Sequence, residues 1–199
     1  MKSPKLHVSL AAGFLAAILL VLPACSVNVK KDASGDDKKV DIETPVGSLH
    51  VNKDADVAET GLSVFPGARK KQGDENGEEK SANVNLSTSA FGLKVVAVEY
   101  ESDAAPDKVI AYYQDQLKKY GNVLLCHTNK HSGESVELHH STHDSGHNRD
   151  LKCEGDSNGK VVELKVGTED NQHIVSIQPE GKGTDFALVY VRTRDDNTI

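Results

Sequence analysis

The sequence predicts an α+β fold: an antiparallel β-sheet packed by one main α-helix at about 104–120. Three observations carry this expectation. Apolar residues alternate with polar ones at period two in 40–51, 82–100 and parts of 160–193, the spacing of half-buried strands. A single stretch, 104–120, places its apolar residues at the three- and four-residue intervals of a helix face. The links are short, and the strands come in runs rather than alternating with helices, which favours antiparallel neighbours.

The elements follow in chain order. Residues 26–38 (SVNVKKDASGDDK) are small and charged with no sustained apolar period, so 25–38 reads as a flexible tether before a single domain over 39–195. Val40 and Ile42 alternate with polar neighbours, Pro45, Val46 and Gly47 turn the chain, and Leu49 and Val51 repeat the pattern, predicting a hairpin. Residues 52–61 show no clear period. Residues 62–65 are extended and stop at Pro66 and Gly67, and 69–80 (RKKQGDENGEEK) reads as a charged, exposed loop. Ala82, Val84 and Leu86, then 93–100 beyond Ala90, Phe91 and Gly92, predict two paired strands.

In 104–120, Val109, Tyr113, Leu117 and Tyr120 form one stripe that Ile110 widens. A tyrosine stripe could line a ligand site, but packing on a sheet is the commoner use. Ser102 or Asp103 can cap the first turn, Pro106 suits a position that needs no donor, and Gly121 predicts a left-handed stop. Asp103 and Asp107 face the positive end of the helix dipole, Lys118 and Lys119 the negative end. Strands are expected at 122–128, 160–166, 172–178 and 185–193. The last is apolar on both faces, Phe186, Leu188 and Tyr190 against Ala187, Val189 and Val191, and is therefore expected at the sheet centre.

Ahead of all this, Lys2 and Lys5 precede an apolar run over 8–22 broken only by Ser9 and Gly13. Its length of roughly fifteen residues is short of the ~20 needed to span hydrocarbon, and no comparable run follows. Leu22-Pro23-Ala24-Cys25 then closes the segment. This arrangement resembles the lipobox of bacterial lipoproteins; a plain secretory signal is the alternative. Pro23 departs from the Ser, Thr or Ala usual at that place. The resemblance implies cleavage of 1–24 as a signal peptide by signal peptidase II and acyl chains, palmitate among them, on Cys25. Ser26 stands where inner-membrane retention would call for Asp, so the implied address is the outer membrane facing the periplasm. Burial contributes about 0.8 kcal/mol per CH₂, so two or more chains hold such a protein firmly to the membrane.

Removal of 1–24 takes away Lys2 and Lys5 and no acid, which moves the formal charge from −7 to −9. Nucleic acid and anionic headgroups repel so acidic a body, so no nucleic-acid partner is expected. With no Trp, four Phe and five Tyr, the chain is poorly stocked for an aromatic-walled cleft.

Cys126 and Cys153 remain beside Cys25. An even pair in an oxidising compartment suggests one disulfide, worth on the order of 3–4 kcal/mol for a loop of about 28 residues; two separate buried thiols are the alternative. Between them lie His127, His131, His139, His140, His143 and His147, with Asp144 and Asp150 nearby. Several imidazoles in a short span can share Zn, Cu or Ni, which makes His131, His139, His140, His143 and His147 candidate ligands. The alternative is a polar loop over 129–149 that binds nothing, so no cofactor is the first expectation. Catalytic zinc would need a positioned base such as the Glu of HExxH, and the chain lacks that motif.

Other constellations lack a required element. Adjacent strand residues point to opposite faces, so Cys126 and His127 cannot pair as nucleophile and base. Glu154, Asp156 and Asn158 begin like a calcium loop, but its twelfth position holds Lys165. Gly181, Lys182, Gly183 and Thr184 lack the phosphate-loop order and lead into a strand. There is no GxSxG elbow and no dinucleotide fingerprint. Phe65-Pro66-Gly67-Ala68, followed by strands and then by 102–117 (SDAAPDKVIAYYQDQL) and Gly121, is similar to a pattern in uncharacterised bacterial lipoproteins. There a PGA segment and strands precede an SPEEVxxFYxxxL helix. That resemblance spans about 62–125 and implies fold, not catalysis. Residues 40–51 (VDIETPVGSLHV) resemble the repeating strands of bacterial adhesin-like proteins, over two strands only. The expected function is a lipid-anchored, non-enzymatic envelope protein doing structural or binding work, its partners the membrane and another envelope protein. Weak metal binding through 127–147 is the alternative.

Overall fold

Period-two alternation is realised as one open antiparallel sheet. The computed structural model of the chain describes residues 25–31, 37–73, 80–129, 150–153 and 158–195. Its strands are β1 (Ser26–Lys31), β2 (Asp37–Thr44), β3 (Gly47–Asn52), β4 (Arg69–Lys70), β5 (Ser81–Thr88), β6 (Phe91–Ser102), β7 (Leu124–Thr128), β8 (Val161–Thr168), β9 (Asn171–Glu180) and β10 (Gly183–Asp195). They lie in the order β1-β2-β3-β5-β6-β10-β9-β8-β7, and β4 pairs with β6 beyond the end of β5. One α-helix, α1 (Pro106–Leu117), completes the fold among the described residues, with 3₁₀ turns at Val57–Thr60 and Lys118–Tyr120. The α+β expectation holds in this coarse form, with the sheet dominant.

α1 packs chiefly on β8, β9 and β10. Val109, Tyr113 and Leu117, one residue per turn, are fully buried against Leu164, Val175, Ile177, Phe186 and Leu188. Each buried side chain of this size contributes about 1.5–3 kcal/mol, enough to hold a helix too short to persist alone. The Tyr113 hydroxyl accepts from the Phe65 N–H at 3.0 Å and so fixes the segment around Phe65 against α1. As expected, β10 is central, between β6 and β9. Phe186 and Leu188 face α1, while Ala187, Val189 and Val191 are buried on the other side.

Several expectations need correction. The tether begins as a strand: Ser26–Lys31 pairs with β2, because Val27 and Val29 are enough alternation once a neighbouring strand offers a ladder. Residues 37–38 likewise belong to β2. The charged loop starts as β4, and the Lys71 N–H continues onto the Glu99 carbonyl; 74–79 lie outside the described residues. α1 is shorter than 104–120, and its cap is Ala105, with no side-chain bond. Ser102 instead accepts from the Ala104 N–H, and Asp103 is taken by Arg69. Tyr120 leaves the stripe and is partly exposed. Gly121 follows the second 3₁₀ turn with φ 140°, a conformation open to glycine but not the left-handed helical stop expected.

Candidate functional site

Strands β1, β2, β3 and β5 extend past the helix layer as a two-faced blade. Residues opposite one another in an antiparallel ladder point to the same face, so the register sorts every side chain. One row runs Val29, Val40, Val51, Val84, Val95 and Val191 across six neighbouring strands. The next runs Val27, Ile42, Leu49, Leu86, Leu93 and Thr193. The face turned away from α1 is thus apolar from the sheet centre to its edge. Val191 is 1% exposed at the inner end; Val29 and Val27 are 42% and 64% exposed at the outer.

The other face of the same strands is polar. Asn28, Asp41, His50 and Asn85 form one row, and Ser26, Glu43, Ser48 and Ser87 the next. Ser26, Asn28, Asp41, Glu43 and His50 line a groove of about 390 Å³. His50 Nδ1 donates to Asp41 Oδ1 at 2.8 Å, which ties the two lining side chains together. The carboxylates of Asp41 and Glu43 make this end of the β1–β2 ribbon acidic. The opposite end is basic, where Lys30 stands across from Lys39. Like charges in direct opposition weaken a strand pair by roughly 0.2–1 kcal/mol. The groove can therefore accept hydrogen bonds and attract a cation such as a lysine ammonium.

Of the three cysteines, Cys126 and Cys153 are bridged, with Cα atoms 5.3 Å apart. Cys126 is buried on β7, and His127 beside it is exposed on the opposite face. Cys25 is free and exposed, one residue before β1. The candidate ligands His131, His139, His140, His143 and His147 lie outside the described residues, as do 154–157 of the calcium-like stretch. Among the described residues, no cluster of three or more His, Cys, Asp or Glu is placed to hold a metal.

Two further polar features sit in the sheet. Lys165 Nζ and Glu163 Oε2 pair at 3.2 Å with side chains about nine-tenths buried, and Ser176 beside them on β9 is fully buried. On the α1 side His173 is half-buried between Tyr120 and Tyr190. The blade groove was not visible in the sequence, because 26–38 reads as tether and only cross-strand register brings Ser26 and Asn28 beside Asp41 and Glu43. The available signal was the short alternation of SVNVK.

No protein-family model, curated protein or solved structure matches the chain.

Proposed function

We propose that this is a lipid-anchored protein of the bacterial cell envelope, facing the periplasm from the outer membrane, that works by binding rather than by catalysis. The observation that carries this reading is the sorting of the cysteines. Cys126 and Cys153 are consumed in a bridge suited to an oxidising compartment, while Cys25, at the lipobox position, is free and exposed. With acyl chains on Cys25, β1 follows at once, so the start of this strand lies close to the bilayer surface. The apolar face and acidic groove are then what the protein offers an envelope partner; its net charge argues against nucleic acid. Mass spectrometry of the N-terminus, with radiolabelled palmitate fed to cells, tests the anchor. The expected result is a chain starting at acylated Cys25, and an unprocessed precursor when Cys25→Ser is introduced. An unmodified thiol at position 25 in an uncleaved chain would remove this reading.

A second reading, weak binding of Zn, Cu or Ni by His131, His139, His140, His143 and His147, is favoured by the same bridge. Closing the chain at 126 and 153 confines that stretch, so gathering its imidazoles around one ion costs less entropy. Equilibrium dialysis against Zn²⁺, with these histidines changed to Gln, checks it. Equal uptake by both proteins rejects it.

A further inference from the structure

We propose that two copies of the chain join edge to edge through β1, antiparallel about a two-fold axis at Asn28, and that Lys30 of each enters the acidic groove of the other. The two ends of the sheet are unlike. At β7 the neighbouring chain is held close, Cys153 being bonded to Cys126 and Asp150 bridging to Thr168. At the other end β1 pairs with β2 alone among the described residues. Its outer side carries a row of backbone donors and acceptors that a further strand can satisfy.

That edge complements itself. A two-fold axis perpendicular to the sheet keeps both copies the same way up, so opposed residues must share a face. Centred on Asn28, the axis sets Val27 against Val29 of the second copy and Ser26 against its Lys30, and pairs all of 26–30. The register shift between Lys30 and Lys31 ends the regular ladder there. Both valines are the exposed outer ends of the apolar rows. Joined, those rows run from Val40 through Val29 into Val27 and Ile42 of the second copy without a polar interruption.

Charge selects the same arrangement. Each β1–β2 ribbon has a basic end, Lys30 and Lys39, and an acidic end, Asp41 and Glu43. Antiparallel pairing lays the basic end of one copy on the acidic end of the other. Lys30 comes opposite Ser26 of the second copy, whose partner on its far side is Glu43. Two strand spacings, about 10 Å, separate Lys30 from that glutamate, a gap that an extended lysine and a glutamate bridge over the small serine. A parallel arrangement would instead place Lys30 on Lys30. The seam over 26–30 does not include Cys25 and needs no lipid on it.

Opposed Cα atoms in such a ladder lie about 4.5–5.5 Å apart, within reach of a disulfide. The test is therefore Asn28→Cys in the full chain, oxidised mildly in cells and resolved on non-reducing gels. The parent chain serves as the blank for Cys25, and Val46→Cys, in the exposed β2–β3 turn, as the random-collision control. Alkylation of the Cys126–Cys153 bridge before and after reduction reports that the fold is kept. The expected result is a covalent dimer at least ten-fold above both controls. Adding Lys30→Glu should abolish it, and adding Glu43→Lys as well should restore it. The proposal is overturned by cross-linking no better than either control, by adducts to another protein in place of the dimer, or by a yield indifferent to Lys30→Glu.

Discussion

The imidazole of His173 lies nearly flat on the ring of Tyr120, centroids 3.8 Å apart and planes 22° from parallel. Each ring also reaches the same piece of backbone. His173 Nδ1–H donates to the Thr60 carbonyl at 2.9 Å, and the Tyr120 hydroxyl donates to the Gly61 carbonyl at 2.6 Å. The pair therefore ties the 3₁₀ turn at Val57–Thr60 both to the end of α1 and to β9. Gly61 has φ 71°, and a Cβ there would stand 2.6 Å from the Tyr120 hydroxyl, so both conformation and space require glycine.

Burial pushes the His173 imidazole below its ordinary pKa, the Lys119 ammonium adds to this, and the Thr60 acceptor opposes it. A histidine whose folded pKa is depressed binds its proton more readily in the unfolded chain. Its contribution to stability is complete above the unfolded value, about 6.5, and declines as pH falls through that value towards the folded one. Urea denaturation of the parent and His173→Gln at pH 8 and pH 5 reads this directly. The stability difference between them should shrink at pH 5; a gap that stays constant or widens in acid contradicts the assignment.

Tyr113 is the most consequential polar contact of the helix. Its ring is fully buried, and its hydroxyl, held above the ordinary tyrosine pKa by burial, is the acceptor for Phe65 N–H. Tyr113→Phe preserves the apolar volume and strands that backbone donor. The expected cost is about 1–2 kcal/mol, seen as a lower urea midpoint at unchanged m-value. A neutral substitution would mean that water takes over the Phe65 N–H.

The elements legible in the sequence are those whose apolar period continues over many residues: the hairpin of β2 and β3, the pair β5 and β6, the stripe Val109–Tyr113–Leu117, and the strands from β7 to β10. What stayed hidden depends on contacts distant in sequence. β1 offers only Val27 and Val29 and becomes a strand because β2 lies beside it. The 3₁₀ turn is set by the Asp56 side chain capping Ala58 N–H and by Glu59, whose carboxylate holds Lys94 on β6 and Asn83 on β5, each at 2.8 Å. Asp103 looks like a helix cap by position, yet Arg69, 34 residues earlier, takes both its oxygens. The groove at Asp41 and Glu43 belongs to the same class, since it exists only once three strands are in register.

The Cys126–Cys153 bridge spans 27 residues and secures the edge strand β7. Loop closure of this size predicts a loss of about 3–4 kcal/mol for Cys153→Ser. Urea denaturation of the parent with and without reductant should reproduce the same loss. A parent protein insensitive to reductant would show that β7 is held by its pairing with β8 alone.

Ser176 presents the opposite case, a polar group that contributes nothing to stability where it stands. It is fully buried on β9, flanked in the ladder by Ala187 and Glu163, and its hydroxyl has no hydrogen-bond partner among the described residues. The nearby Lys165 is already engaged by Glu163 at 3.2 Å. An unmade hydrogen bond of this kind costs about 1–3 kcal/mol, and removing the hydroxyl relieves it while taking away only one atom of packing. Ser176→Ala should therefore raise stability by about 1 kcal/mol, against the common tendency of buried substitutions to destabilise. The comparison with Ser176→Val separates the terms, because added methyls meet the crowded row of Ala187 and should forfeit the gain. If alanine instead lowers the urea midpoint, the hydroxyl is satisfied in solution.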